Sequence, residues 1–466
     1  MKRLALLLVL AAAACASTER PDIDAFVDRT LRENPVMPSL AIAAVKDGRV
    51  VYLREPNTAY YIGSTTKAYT GLACAILAQR GQLDLDAPIT KVLPEVTLAK
   101  APTLRAFLTH TSGIENEAIV FRTAFTGEHT ASQLVSMLNS SKPAKPGFQY
   151  DNLGYVVASL VMERVTGKPW QDTLDELVFA PLGMRHTTAR MSNAGRLPAG
   201  YLFGRNGELT PVALVKNDRM MHAAGGIVTT PADLARWLEA NVSNGRIGSK
   251  QVILAAAFEE AHRLQVPTES VKRGELKSRG YGFGWYQGTY NGEDILFHGG
   301  GYPGWLSLFS VMPKRGIAVG AMTNSSSPLA QAVAGSIAAA IYDRLLDKPN
   351  VQLADLKEQV ARGKKALLAD AEKRAQRPWM LKHGNGAYVG RFENPLYGTV
   401  AIEQRGDKLW ASLAQLQSVL QPFVEPESAR VELVPGSGEV FFFHAAEDGT
   451  IDSFRYKDEV FRRITP

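Results

Sequence analysis

Cysteine is nearly missing from this chain: its 466 residues include two, Cys15 and Cys74. Cys15 ends an N-terminal apolar run and Cys74 lies inside a helical pattern, so no internal disulfide framework is expected and a packed core must supply the stability. There is no H-E-x-x-H and no other cysteine or histidine cluster, so the usual metal spacings are excluded and neither metal nor cofactor is expected. The lack of a G-x-S-x-G argues against the nucleophile elbow of α/β-hydrolases. A formal charge of +6 and a pI near 9.1 come without basic clustering, because Lys and Arg alternate with acids along the chain. No nucleic-acid partner is expected. Internal repeats and low-complexity tracts are missing as well.

What is present describes an ordinary globular protein. With 45% hydrophobic and 21% charged residues, it is large enough for two or three domains. Met1-Lys2-Arg3 and the apolar run from Leu4 to Ala14 are too short to span a bilayer in the folded protein and read as an export signal over residues 1–14. Ala12-Ala13-Ala14 before Cys15 fits small-residue cleavage and equally a degenerate lipobox. A periplasmic or secreted protein is expected, with lipid anchoring through Cys15 left open.

Further along, Ile23 to Leu31 predicts a helix, Leu40 to Val45 a buried strand, and Lys46-Asp47-Gly48-Arg49 a turn into Val50 to Leu53. From Leu83 to about Arg279 the pattern is of helices and loops. Strands return over Tyr281 to Tyr290, Asp294 to His298, Trp305 to Met312 and Ile317 to Thr323, and Ser325 to Ser327 then opens an alanine-rich helix to about Leu346. Asp343 and Arg344 argue against that helix crossing a membrane. The expected architecture is an α/β (α+β) unit over residues 22–348, an antiparallel sheet with N- and C-terminal helices and a helical insert. A charged connector follows over 349–384, then a small all-β antiparallel barrel or sandwich over 385–466. That last segment reads equally as a spacer, a homo-oligomer contact or a lid.

Three short motifs carry chemistry. Ser64-Thr65-Thr66-Lys67 opens a helical pattern in which Tyr69, Leu72, Ala73, Ile76 and Leu77 recur at helical spacing, so one buried face is expected. Residues three apart share a helix face, which sets the Lys67 amine beside the Ser64 hydroxyl as a proton acceptor. The bland alternative is a capping serine with a solvated lysine. Tyr150-Asp151-Asn152 is the one Y-x-N. A phenol beside a cationic lysine is expected to lose its proton more readily and to serve as base and then acid, with Asn152 bonding Lys67 and substrate. The competing reading is a core tyrosine and a turn asparagine. His298-Gly299-Gly300-Gly301 is the one H-x-G, ending a strand. Its glycines permit close backbone approach, so the Gly301 N–H can join that of Ser64 in an oxyanion hole. A glycine-rich loop with a surface histidine is the alternative. Gly299, Gly301 and Gly304 also spell G-x-G-x-x-G, but a strand-like run follows where a dinucleotide site needs a helix.

With S-x-x-K, Y-x-N and H-x-G in this order, the chain from about Pro38 to Leu346 resembles the penicillin-recognising serine hydrolases. These include class C β-lactamases, D-alanyl-D-alanine carboxypeptidases, D-aminopeptidases and related esterases. Leu108 to Gly113, Pro181 to Met184, Ala224 to Thr230 and Tyr281 to Trp285 look similar too, and the final segment looks like a barrel appended to some members. The resemblance implies acylation of Ser64, proton transfer shared by Lys67 and Tyr150, substrate contacts at Asn152, His298, Gly300 and Gly301, and a small ester, amide or peptide substrate. His298 stands where classical β-lactamases carry lysine, and the Leu53 to Tyr60 segment is short, so a rearranged lead-in to Ser64 is expected. A non-catalytic binding or scaffold protein of the same fold is the alternative function.

Overall fold

The computed structural model of the protein describes residues 20–204, 207–269, 272–349 and 353–464. The export signal and Cys15 fall outside the described residues. In chain order, helix α1 (Arg20–Glu33) leads into the hairpin of β1 (Leu40–Lys46) and β2 (Arg49–Arg54), and α2 (Thr66–Gln79) follows. The helical insert includes α3 (Leu104–Leu108), α4 (Leu153–Thr166) and α5 (Pro231–Val242). A meander of β3 (Leu276–Tyr281), β4 (Tyr286–Tyr290), β5 (Glu293–Tyr302), β6 (Trp305–Met312) and β7 (Ile317–Thr323) completes the sheet. Helices α6 (Pro328–Leu345) and α7 (Leu356–Ala375) lead to the final domain.

β1 is apolar at every position but the last because both faces of the sheet are covered. Ala41, Ala43 and Val45 face α2, α5 and the insert, while Leu40, Ile42 and Ala44 face α1 and α6. A strand buried on both sides gains nothing from polar alternation. β1 pairs antiparallel with β7, from Leu40 opposite Thr323 to Lys46 opposite Ile317, so the two ends of the first domain close one sheet around the insert. The expected α/β architecture is therefore the one observed. Side-chain caps fix the helix starts: the Thr230 side chain accepts from Asp233 N–H and that of Ser327 from Ala330 N–H.

Three local expectations are corrected. The helix after Ser64 was expected to bury one face; instead every residue from Thr66 to Leu77 is buried, because α2 lies between the sheet and the insert. Gly71 lets the helix touch the β3–β4 turn, where an added Cβ would stand 2.7 Å from Phe283 Cβ. The strand expected to end at His298 runs on to Tyr302, because glycine lets it pass against Ile62: a Cβ on Gly300 would lie 1.9 Å from the Ile62 carbonyl oxygen. The strand-like Tyr281 to Tyr290 stretch is split by a turn at 282–285, where Gly284, at φ +78°, packs on Ala68.

The C-terminal segment forms a nine-stranded antiparallel sheet, closed nearly to a barrel, running from Leu416–Val419 at one edge to Gln421–Pro422 at the other. Its core of Phe392, Val400, Ile402, Phe441, Phe454 and Phe461 also takes in Ala118 and Phe121 from the insert. Phe121 lies 5.4 Å from the Tyr397 ring, Lys457 pairs with Glu117, and Arg122 Nε donates to the Leu396 carbonyl at 2.5 Å. The barrel is thus seated on the insert beside the Tyr150 loop. Among the described residues, no helix is long and apolar enough to cross a membrane.

Candidate active site

The site begins with a two-residue strand, Tyr60–Tyr61, that pairs with Val228–Thr229 outside the main sheet, so the short lead-in to Ser64 is anchored to the insert. Gly63 takes φ +50°, and a Cβ there would stand 2.5 Å from Gly301 N. Glycine at position 63 is therefore required for the Ser64 turn to touch the β5 main chain. Ser307 Oγ donates to the Ile62 carbonyl at 2.6 Å, and Thr65 Oγ1 to the same oxygen at 2.8 Å. In this packed turn Ser64 alone between Tyr60 and Leu77 keeps partial exposure.

Lys67, on the first turn of α2, is fully buried. Its Nζ lies 3.0 Å from Ser64 Oγ, 2.6 Å from Asn152 Oδ1 and 3.0 Å from the Ala224 carbonyl. Burial brings its pKa down to about 7, against the upward pull of the Asp151 carboxylate. A neutral amine has two N–H groups and one lone pair. Two of the three neighbours, the Asn152 and Ala224 oxygens, can only accept, so the lone pair is left for the Ser64 hydroxyl.

Tyr150 forms the opposite wall. Its ring centroid is 4.9 Å from Lys67 Nζ, and Ser64 is near enough to its hydroxyl to pull the phenol pKa down. The residue is 40% exposed, yet the surroundings of its hydroxyl are crowded. The sequence reading expected a phenol that ionises easily; the structure reverses this. Burial pushes the Tyr150 pKa up, and the nearby Ser64 side chain offsets only part of that. The phenol is therefore protonated at neutral pH and carries a proton at the Ser64 side of the cleft.

The His298 side chain is only 3% exposed, with Nδ1 donating to the Gly299 carbonyl at 2.7 Å and Nε2 accepting from Tyr281 O–H at 3.2 Å. Burial, reinforced by the Lys67 charge, brings its pKa to about 3, so it is neutral. The expected substrate contact is therefore a buried wall behind Tyr150, not a free ligand. Gly300 is the crossing point against Ile62, and Gly301 faces the cleft. Ser64, Lys67, Tyr150, Asn152 and Gly301 thus come together in space.

The Ala224 carbonyl could not be foreseen, since a main-chain oxygen leaves no trace in residue type. His110, under Tyr150, was visible in the Leu108 to Gly113 stretch but had no assigned role. Among the described residues, no group of three or more His, Cys, Asp or Glu is placed to hold a metal ion.

This fold and this convergence define a class, and comparison with known proteins gives its family. The Beta-lactamase family model matches residues 27–343, and the chain belongs to that family. The unguisins hydrolase ungD' of Aspergillus campestris is 27% identical over 317 residues, covering 63% of this chain; the chain spans 56% of that relative's length. A D-stereospecific amidohydrolase from Streptomyces sp. superposes with a TM-score of 0.52 at 26% identity, over 65% of this chain and 94% of that one. The octameric penicillin-binding protein homologue from Pyrococcus abyssi superposes with a TM-score of 0.60 at 21% identity, over 95% of this chain and 99% of that one. That likeness, barrel included, is one of fold.

Proposed function

We propose that the protein is a serine hydrolase that cleaves a small ester or amide through an acyl-enzyme on Ser64. One observation carries the reading: the buried Lys67 amine, brought to about 7, stands 3.0 Å from Ser64 Oγ. In the first step the Ser64 O–H proton passes to Lys67 Nζ while Oγ bonds to the substrate carbonyl carbon. The N–H groups of Ser64 and Gly301 hold the resulting oxyanion. Tyr150 then delivers a proton to the departing alcohol or amine as the C–O or C–N bond breaks, and is reprotonated from Lys67. Attack by water on the ester, with Lys67 and Tyr150 again handling the proton, releases the acid and restores Ser64.

Neutral His298 adds no positive charge to β5, which favours acyl groups recognised without a carboxylate over β-lactam antibiotics. The hydrolase and amidohydrolase relatives support carbonyl-group hydrolysis; esterase and D-peptidase activities both fit the site. The test is intact-mass labelling with a fluorophosphonate, together with hydrolysis of p-nitrophenyl acetate. A single adduct and turnover, both lost in Ser64→Ala, support the reading. Turnover that survives Ser64→Ala removes it, and a folded protein that neither labels nor turns over favours a non-catalytic binding protein.

The proposal extends to location and assembly. Residues 1–14 act as an export leader ahead of a periplasmic or secreted mature chain, and Cys15 is a candidate lipid attachment point. N-terminal sequencing of the exported protein distinguishes a free from a blocked Cys15 end. Homo-oligomer formation through the barrel is checked by light scattering.

A further inference from the structure

The loop that presents Tyr150 has little regular structure of its own, lying between the short strand Lys142–Pro143 and α4. Its main-chain ties near the phenol converge on one residue. The His110 carbonyl accepts from Gln149 N–H at 2.8 Å, and His110 Nδ1 accepts from Asp151 N–H at 3.3 Å. The main-chain N–H groups of the residues on either side of Tyr150 are thus held by the two ends of a single histidine. The imidazole centroid lies 4.6 Å from that of Tyr150, and Phe148, Tyr155 and Tyr281 complete an aromatic enclosure.

His110 adopts φ +58° although it is 1% exposed and not a glycine, in a region that side chains with a Cβ seldom occupy. This conformation turns both its carbonyl and its ring toward the same loop. The residue is itself anchored: its N–H donates to the Phe107 carbonyl at 3.2 Å, and the neighbouring Leu108 carbonyl accepts from Tyr155 O–H at 2.9 Å. Because Nδ1 accepts, the ring hydrogen sits on Nε2, which has no hydrogen-bond partner among the surrounding rings. A buried imidazole that leaves one nitrogen unpaired while using the other on a functional loop is placed for that loop rather than for its own satisfaction.

We propose that His110 is a positioning residue: by holding the N–H groups of Gln149 and Asp151 it fixes the phenol at the distance from Ser64 needed to protonate the leaving group. This rests on the role given to Tyr150 above. The test uses two substrates with one acyl group, p-nitrophenyl acetate and p-nitroacetanilide. The phenolate leaves without a proton; the anilide needs one. His110→Leu keeps the bulk and removes the acceptor. It should lower kcat/KM for the anilide by about 10²-fold, the scale of an ångström misplacement, and change the ester by less than about threefold. His110→Asn, which tolerates the left-handed backbone and offers Oδ1 to Asp151 N–H, should recover anilide turnover to within about fivefold. In a Tyr150→Phe background, His110→Leu should have no further effect on the anilide.

Equal losses on both substrates, or additive losses in the double variant, would overturn the proposal and mark His110 as a packing residue. If His110→Leu does not fold, His110→Asn against His110→Gln carries the comparison, since glutamine moves the acceptor by one methylene. Comparable anilide turnover in these two would equally overturn it. Turnover that persists in Ser64→Ala defeats the hydrolase reading itself, whereas Ser64-dependent turnover indifferent to His110 defeats only this inference.

Discussion

Replacing Lys67 by methionine separates the site's chemistry from its stability. The folded amine titrates at about 7, against 10.5 for an ordinary lysine. Acylation needs the neutral form, so the rate of p-nitrophenyl acetate acylation should rise with pH to a plateau, with a midpoint near 7. At pH 6 about a tenth of the plateau rate remains, and at pH 5 about a hundredth. Lys67→Met should lose about 10³-fold in acylation across the range. Stability rises with pH as well, over a higher window. Between pH 7 and 10.5 the unfolded chain binds more protons at this position than the folded one, so wild-type stability rises with pH there. From pH 7 to pH 9 the gain is about 2 kcal/mol for one group. Lys216, also buried and brought to about 7, is present in both proteins and cancels in their difference. Urea unfolding at pH 7 and pH 9 should therefore show the wild type gaining about 2 kcal/mol on Lys67→Met. A rate midpoint near 10, or a stability difference that does not change with pH, would mean that Lys67 stays charged and is not the base.

Other consequences are readily checked. Tyr150→Phe should slow p-nitroacetanilide hydrolysis by about 10²-fold or more and p-nitrophenyl acetate far less, read from kcat/KM; equal losses would remove the phenol from leaving-group protonation. Gly300→Ala places a methyl group 1.9 Å from the Ile62 oxygen and should cost about 2 kcal/mol in unfolding free energy along with most activity. Gly299→Ala, whose new methyl group meets nothing nearer than 3.6 Å, should be nearly silent in the same assays. Phe121→Ala should cost about 3 kcal/mol and loosen the barrel from the insert, seen as a separate early transition in thermal unfolding. A single unshifted transition would show that this seat holds nothing.

The parts of the site that could be read from the sequence are those fixed by local geometry. Ser64 and Lys67 meet because three residues of helical turn bring them together, whatever surrounds them. The convergence of Tyr150 and Gly301 on that pair is tertiary, and only the order of the three motifs hinted at it. The expectation for Tyr150 reversed because it weighed the neighbouring amine and left out enclosure, and enclosure decides how both groups titrate. His298 was readable in principle: it shares strand parity with Gly300 and Tyr302, which are buried, whereas Gly299 and Gly301 face the opening. The complete burial of α2 was not readable, because Thr66, Thr70, Gly71 and the alanines carry no strong preference for core or surface. In the barrel, alternation and turns marked the strands, but nothing in them indicated that Phe121 of the insert would complete its core.

The contact between Gly63 and Gly301 has a consequence for how such a protein can diversify. Where two peptide chains meet with no side chain between them, their alignment is set by bond geometry and not by any rotamer. Mutational drift in the surrounding insert and barrel can then reshape what enters the cleft without disturbing the alignment of these two chains. On the proposed mechanism, selectivity and rate enhancement then rest on separate parts of the molecule, and the first can be explored at little risk to the second.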